Sequence, residues 1–115
     1  MLVPGAAKKV IVHLNEDTSA AHDFLYTEIL EFLRSRGVAG ATMIRPAAGF
    51  GSHHRLHIAG AGSVEGEHLP VRIEFLESTE VVDAILPSLC ELVTDGLVET
   101  HPTTIVKAAQ RTQPV

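Results

Sequence analysis

Residues 47–57 bring together groups whose chemistry suits a ligand site: two glycines, three of the chain's seven histidines and an arginine. If residues 53–57 are extended, side chains alternate between two faces of the chain. The side chains that then project together are His53, Arg55 and His57. Arginine contacts phosphate or carboxylate groups through two parallel hydrogen bonds, and glycines such as Gly49 and Gly51 let the backbone approach a ligand closely. The pattern predicts a loop that binds a small anion.

The same region allows a second chemistry, because imidazole nitrogens are common ligands of divalent metals. The candidate metal ligands are His53, His54, His57 and His68. Zinc sites ordinarily hold several ligands in a fixed geometry, and a short run of histidines does not by itself establish one. Metal binding is therefore the alternative to anion binding. A solvent-exposed loop without a ligand is the third interpretation of these residues.

Catalytic chemistry finds less support in the sequence. Ser52 is next to His53, but adjacency along the chain does not give the geometry of a nucleophile, a base and an orienting group. An enzyme would also need an enclosed apolar cavity with converging polar groups. We expect no catalytic residues, and an enzyme ranks behind a regulatory or a metal-binding protein.

The length and the net charge limit the classes of protein to which the chain can belong. A chain of 115 residues is long enough for one domain with its own core. We expect that core over about residues 8–107, a long loop over 47–68 and a frayed tail over 108–115. The net charge of −5 counts against a nucleic-acid partner, because such proteins display clustered lysine and arginine.

Three features of the sequence indicate the cellular compartment and whether the chain inserts into a membrane. The first seven residues lack the basic start of a signal peptide. No apolar run approaches the ~18 residues that a membrane-spanning helix needs, so we expect no membrane insertion. The single cysteine, Cys90, cannot form an internal disulfide and suggests a reducing compartment. We expect a cytoplasmic protein in which Cys90 is a buried small apolar residue.

Hydrophobic periodicity supplies the elements that would position these residues. The predicted elements are, in order, a strand over 9–14, a helix over 19–36 capped by 15–19, a strand over 38–46, a short strand over 55–59, a strand over 69–76, a helix over 78–93 and a strand over 97–106. Gly37 is placed to end the first helix. Pro87 should kink or split the second helix, and Pro102 favours an edge position or a bulge in the last strand.

This order predicts an α+β fold, a ferredoxin-like βαββαβ sandwich in which two helices cover one face of an antiparallel sheet. The other face is partly apolar, with Ile11, His13, Ala41 and Met43 assigned to it. A partly apolar face favours self-association. His13 shares that face with Arg72 and Glu74, and we expect it to form an ion pair or hydrogen bond between subunits rather than to contact a ligand.

The sequence resembles the PII-like signalling proteins and, within them, a family of unknown function with a PII-like fold. The resemblance extends from about residue 9 to residue 106. The segments that carry it are residues 14–17, 29–42, 48–53, 69–75 and 95–97. Arg-Gly-Val-Ala-Gly-Ala-Thr at 36–42 and Gly-Phe-Gly-Ser-His at 49–53 are its most specific parts.

The resemblance implies a homotrimer that binds a nucleotide or a related small effector in clefts between subunits. It also implies that the 47–68 loop passes the signal to a partner, either a membrane transporter or an enzyme. The implied ligand-binding residues are Gly49, Phe50, Gly51, Ser52, His53, Arg55, His57, Asp95 and Gly96. This chain has Leu97 where true PII proteins have a lysine, and its only tyrosine, Tyr26, lies outside the loop. These departures count against classical ATP binding and loop uridylylation, and they leave a small anion, nucleotides included, as the expected effector.

Overall fold

The computed structural model describes residues 2–50, 57–58 and 69–111. This part of the chain forms six strands and two helices. β1 is Gly5–Asn15, α1 is Leu25–Ser35, β2 is Ala41–Ile44, β3 is Ala48–Gly49, β4 is His57–Ile58, β5 is Pro70–Ser78, α2 is Thr79–Leu92 and β6 is Leu97–Ile105. The predicted order of elements is confirmed. The predicted short strand over 55–59 is represented by β4, which pairs with β3 in a separate ribbon.

The four longer strands form one antiparallel sheet in the order β2-β5-β1-β6. Alternate residues of β1 and β5, such as Val12 and its cross-strand partner Ile73, are fully buried against the helices. The core cluster comprises Val10, Val12, Leu14, Leu25, Ile29, Leu33, Val71, Ile73, Phe75, Val82, Ile85 and Leu89. Because both helices contribute to this single cluster, they cover one face of the sheet. The predicted ferredoxin-like α+β fold is confirmed.

We call the face of the sheet opposite the helices the open face. On β1 it carries Lys9, Ile11 and His13, which alternate with the core residues. The prediction that Ala41 and Met43 lie on this face is wrong. They pair with Phe75 and Ile73, respectively, and directly paired residues share a face. β2 has only four residues, and their polarity does not show which of them face the core. Their pairing with β5 assigns each residue to a face.

The first helix begins later than its periodicity suggests. Residues 19–24 form a turn closed by a bridge between Ser19 and Phe24, and the N–H of Leu25 donates to the carbonyl oxygen of Thr18 at 2.7 Å. The predicted start at residue 19 and the predicted cap over 15–19 are therefore wrong. The predicted end is confirmed, because Gly37 has a φ of 77° and the N–H of Val38 donates to the carbonyl of Leu33.

The second helix is capped as expected, with Ser78 Oγ accepting the N–H of Val81 at 3.3 Å. Pro87 does not split it, since α2 runs unbroken through this residue. Pro87 and Asp83, whose carbonyl would lose its partner, are both exposed, so water can solvate that carbonyl. Cys90 is exposed, which contradicts the prediction of a buried residue. It follows the buried Leu89 and is turned about 100° away from the core stripe.

The last strand lies at one edge of the sheet, which confirms the position expected for Pro102. The two helices contain 11 and 14 residues. Neither helix in the described part of the chain has the length and apolar character to cross a membrane.

Candidate functional site

The open face carries its polar groups at the end of β1 that leads to Asn15. His13 lies opposite Arg72 on β5 and opposite Leu97 on β6. Its Nε2 atom is 2.6 Å from a carboxylate oxygen of Glu99. The ion-pair partner of His13 is thus supplied by its own chain, whereas the sequence favoured a partner in another subunit.

Glu99 joins two imidazoles. One carboxylate oxygen faces His13, and the other accepts a short hydrogen bond from Nε2 of His101. The pKa of Glu99 is held below its ordinary value by these two hydrogen bonds. The bond from His13 has the larger effect and the bond from His101 the smaller one. An ionised carboxylate only accepts hydrogen bonds, so both Nε2 atoms bear the proton in this arrangement.

A second charged group crosses the same face. Glu74 contacts the Nε atom of Arg72 at 3.0 Å and the Nζ atom of Lys9 at 3.6 Å. The guanidinium of Arg72 has five N–H donors, and the contact through Nε occupies one of them. The half-exposed Arg72 can therefore contact an anion while it remains paired with Glu74.

Two neighbouring grooves open beside these charges, and both are lined by His13 and Pro70. The first groove, about 250 Å³ in volume, is also lined by Asn15 and the turn at residues 95–97. The second groove is larger, about 410 Å³, and includes Arg72 and Ala48. The first groove therefore has an acidic and amide lining, and the second has a cationic one.

The residues that flank the 47–68 loop are held beside these two grooves. Glu16, one residue after β1, accepts from Arg45 with nitrogen-to-oxygen distances of 2.5 Å. Its backbone N–H donates to the carbonyl of Leu69 at 3.0 Å. Next to these contacts, a Cβ atom on Gly49 would lie 3.1 Å from Cγ of Pro70, so glycine permits a close approach of β3 to the start of β5.

The turn that closes the first groove requires its glycine. Gly96 has a φ of 155°, a conformation that L side chains rarely adopt. A Cβ atom at this position would also overlap the backbone carbonyl oxygen of His13. Asp95 and Leu97 are consequently held against the end of β1, and the side chain of Leu97 remains 55% exposed.

The structure places only part of the site inferred from sequence. Asp95 and Gly96 line the first groove. Gly49 lies on β3 beside Pro70, and Phe50 follows it with an exposed side chain. The backbone of His57 pairs with Gly49 in the ribbon. The remaining candidates lie outside the described residues: Gly51, Ser52, His53, His54, Arg55 and His68.

Several residues of this region are not recognised as site residues from the sequence, and two of them, His13 and Arg72, are expected only on the open face. Asn15 and Glu16 were interpreted as helix caps, and Pro70 was treated only as part of a strand. For Pro70 the useful signal was its place where the loop enters β5. For Glu16 no local signal exists, because its partner Arg45 lies far along the chain.

Comparison with known proteins gives a family and a fold. The profile of the DUF190 family, described as Uncharacterized ACR, COG1993, matches residues 7–105. The UPF0166 protein MJ1524 of Methanocaldococcus jannaschii is 27% identical over 97 residues, which cover 80% of this chain and 84% of that protein.

Two solved structures share the architecture. CPII of Thiomonas intermedia, bound to ADP and bicarbonate, superposes with a TM-score of 0.63 at 17% identity, covering 93% of this chain and 95% of CPII. A putative PII-like signalling protein of Thermus thermophilus superposes with a TM-score of 0.64 at 21% identity, covering 91% and 94% of the two chains. Another CPII structure contains ADP, AMP and bicarbonate. These likenesses confirm the PII-like fold.

Proposed function

The chain belongs to the DUF190 family, and on this basis we propose that it is a PII-like regulatory protein. It binds a small anionic effector in clefts between subunits and signals through the 47–68 loop. The observation that carries the proposal is the position of the loop ends. Ala48, near its start, and Pro70, two residues after its end, line the same groove as His13 and Arg72. An anion bound there contacts the loop and the sheet together.

The physical mechanism is a shift between loop arrangements. An effector changes the population of a loop state only if it binds the two states with different affinity. An anion on Arg72 lies next to Pro46 and Ala48, so its contacts depend on where the start of the loop lies. Gly49, Phe50, Gly51, Ser52, His53, Arg55 and His57 complete the proposed site from the loop, and Asp95 and Gly96 complete it from the turn.

The first effectors to try are those bound by the structural relative CPII: ADP, AMP and bicarbonate. Arg72 suits both a phosphate and a carbonate group, since guanidinium binds planar or tetrahedral oxyanions in the same way. The proposal therefore covers a nucleotide and a simple anion, and binding measurements decide between them.

Assembly and location form part of the same proposal. The open face has no described helix packed on it, and it carries Ile11, Ile44 and Leu97 among its charges. A homotrimer covers that face and creates the clefts between subunits. The partner that reads the loop is a membrane transporter or an enzyme. The exposed thiol of Cys90 suits the reducing cytoplasm.

The test is a thermal-shift and calorimetric screen with adenine nucleotides, cyclic nucleotides and bicarbonate on the wild type, Arg72→Gln and Arg55→Ala. We expect at least one ligand to raise the midpoint, and we expect each variant to bind it about tenfold more weakly. Arg34→Gln is the matched control, because Arg34 is an exposed arginine paired with Glu31 on α1. If no ligand shifts the midpoint, and Arg55→Ala and Arg72→Gln behave as the wild type does, the proposal fails.

The described residues provide no observation that favours metal binding as a second function. In residues 2–50 and 69–111, no three histidine, cysteine or acidic side chains are grouped as a metal site requires. His53, His54 and His68 are outside the described residues, and only the backbone of His57 is described. The metal hypothesis remains a sequence-based prediction.

A further inference from the structure

The strands of the main sheet present a small set of ionisable side chains on the open face, and the strand pairing identifies them. They are Lys9, His13, Arg72, Glu74, Glu99 and His101. The residues of β2 that pair into this face, Thr42 and Ile44, carry no charge. Two permanent cations therefore share the strands with two carboxylates, and the two imidazoles decide the net charge.

These side chains form two separate clusters. In the first cluster, Glu74 lies 3.0 Å from Arg72 and 3.6 Å from Lys9, so one carboxylate serves two cations. In the second cluster, Glu99 lies 2.6 Å from His13 and also contacts His101. The first cluster has one surplus positive charge. The second has one negative charge while both imidazoles are neutral, so the strands are then electrically balanced on this face.

Acidification changes this balance in one direction. Imidazole is the side chain that ordinarily changes its charge between pH 5 and pH 8. The carboxylate of Glu99 keeps its charge over that range, because its pKa is held below 4.5. The first proton taken up by His13 or His101 neutralises the second cluster, and the next proton makes it positive. The strands then carry a net positive charge on the open face.

A change of charge has its largest effect where the surface contacts copies of itself. Every subunit of a homo-oligomer carries the same surface and gains the same charge, and like charges that meet across an interface weaken association. We propose that the cluster of His13, Glu99 and His101 is a pH switch for self-association, which separates the subunits when the imidazoles are protonated. The inference rests on the assembly in the proposed function and adds the condition under which the assembly forms.

The net charge of the whole chain changes in the opposite sense. The chain carries −5 with its seven histidines neutral, and its isoelectric point is about 5.7. Acidification toward the isoelectric point reduces the overall repulsion between copies and so favours association. A loss of assembly under the same conditions would therefore report the local charge of the open face.

Sedimentation velocity of the full chain at about pH 8 and about pH 6, two values that span the ordinary titration of imidazole, tests the switch. We expect the dissociation constant of the wild-type assembly to be about tenfold higher at the lower pH. In the double variant His13→Gln, His101→Gln, both side chains stay neutral and their amides can still donate to Glu99. We expect its dissociation constant to be the same at both pH values. His22→Gln is the matched control, because His22 is exposed in the turn before α1 and should leave the wild-type response unchanged.

A second substitution imitates acidification at neutral pH. Glu99→Gln removes the negative charge of the second cluster, so the surplus positive charge of the first cluster is no longer balanced. We expect this variant to assemble about tenfold more weakly than the wild type at the higher pH. Circular dichroism of each variant establishes that the fold is retained, and Glu99→Gln keeps the switch testable if the double variant does not fold.

The failures of the switch and of the assembly can be told apart. A wild-type assembly that is equally stable at both pH values would overturn the switch and leave the proposed assembly intact. If the double variant loses assembly at low pH as the wild type does, groups outside the cluster cause the loss and the inference is wrong. A monomer at both pH values would contradict the assembly itself, and the switch with it.

Discussion

The carboxylate of Glu16 lies 2.5 Å from the Nη2 atom of Arg45, immediately before the 47–68 loop. The backbone of the same Glu16 holds Leu69, immediately after the loop. One residue at the end of β1 therefore fixes both points between which the loop extends.

Substitution of Glu16 should loosen one of these anchors. In Glu16→Gln the backbone contact to Leu69 is retained and the ion pair to Arg45 is lost, at a cost of about 0.2–1 kcal/mol in stability. We expect trypsin to cleave after Arg55 faster than in the wild type, as followed by mass spectrometry. Glu31→Gln, which removes the exposed ion pair to Arg34, is the control. Equal cleavage rates in all three proteins would contradict the anchoring role.

Gly96 should tolerate no side chain. Gly96→Ala combines a strained backbone conformation with overlap at the carbonyl of His13, and we expect a loss of about 1–3 kcal/mol in chemical denaturation. Gly40→Ala is the matched control, because a Cβ atom there meets no atom within 4 Å and its φ is not in the strained range. The control should retain its stability or gain up to about 1 kcal/mol. Similar losses in both variants would refute the assignment.

Glu99 should contribute to stability in a pH-dependent way. Its ordinary pKa is 4.5, and the hydrogen bonds from His13 and His101 lower the pKa in the folded chain. The unfolded chain therefore takes up the proton first as the pH falls. The stabilisation is complete above about pH 4.5 and is lost as the pH falls through the lower pKa of the folded state.

Denaturation of the wild type and Glu99→Gln over a pH series measures this contribution. We expect the wild type to be the more stable protein at neutral pH, and we expect the difference to shrink as the solution becomes more acidic than pH 4.5. Glu91→Gln, an exposed substitution on α2, should show no such convergence. A constant difference between the wild type and Glu99→Gln at all pH values would contradict the proposed hydrogen bonding.

Pro87 should be a removable defect in α2. Pro87→Ala restores a backbone N–H inside an unbroken helix and relieves the contact of the proline ring with the preceding turn. We expect a net gain of about 1–3 kcal/mol in the free energy of unfolding. This figure allows for the smaller stabilisation that is lost with proline, which restricts the unfolded chain. Glu91→Ala on the same helix provides the comparison. A decrease in the free energy of unfolding would contradict the prediction and would show that Pro87 stabilises the protein.

Local patterns predicted much of the fold because local physics decides it. The alternation of Val10, Val12 and Leu14 marks a strand with one buried face, and burial follows that pattern. Gly37 and Ser78 act as helix terminators through contacts within a few residues. The start of α1 was placed wrongly, because the turn before it is closed by Ser19 and Phe24, which have no distinctive pattern.

The candidate site was less predictable because it depends on distant residues. The resemblance indicated Asp95 and Gly96, and alternation placed His13 and Arg72 on one face. Nothing near Asn15 signals its burial, which results from its position beside Pro70 and the turn at 95–97. Such contacts become visible only when the strands are assembled.

The central position of β1 also has a consequence for how the chain folds. Gly5 at its start pairs with Ile105, and the strand lies between β5 and β6 in the sheet. β1 therefore cannot complete its pairing until β6, about ninety residues later in the chain, has been made. Contacts between such distant parts of a chain slow folding, so during translation one edge of β1 remains unpaired until β6 has been made, and early folding should begin in the helices.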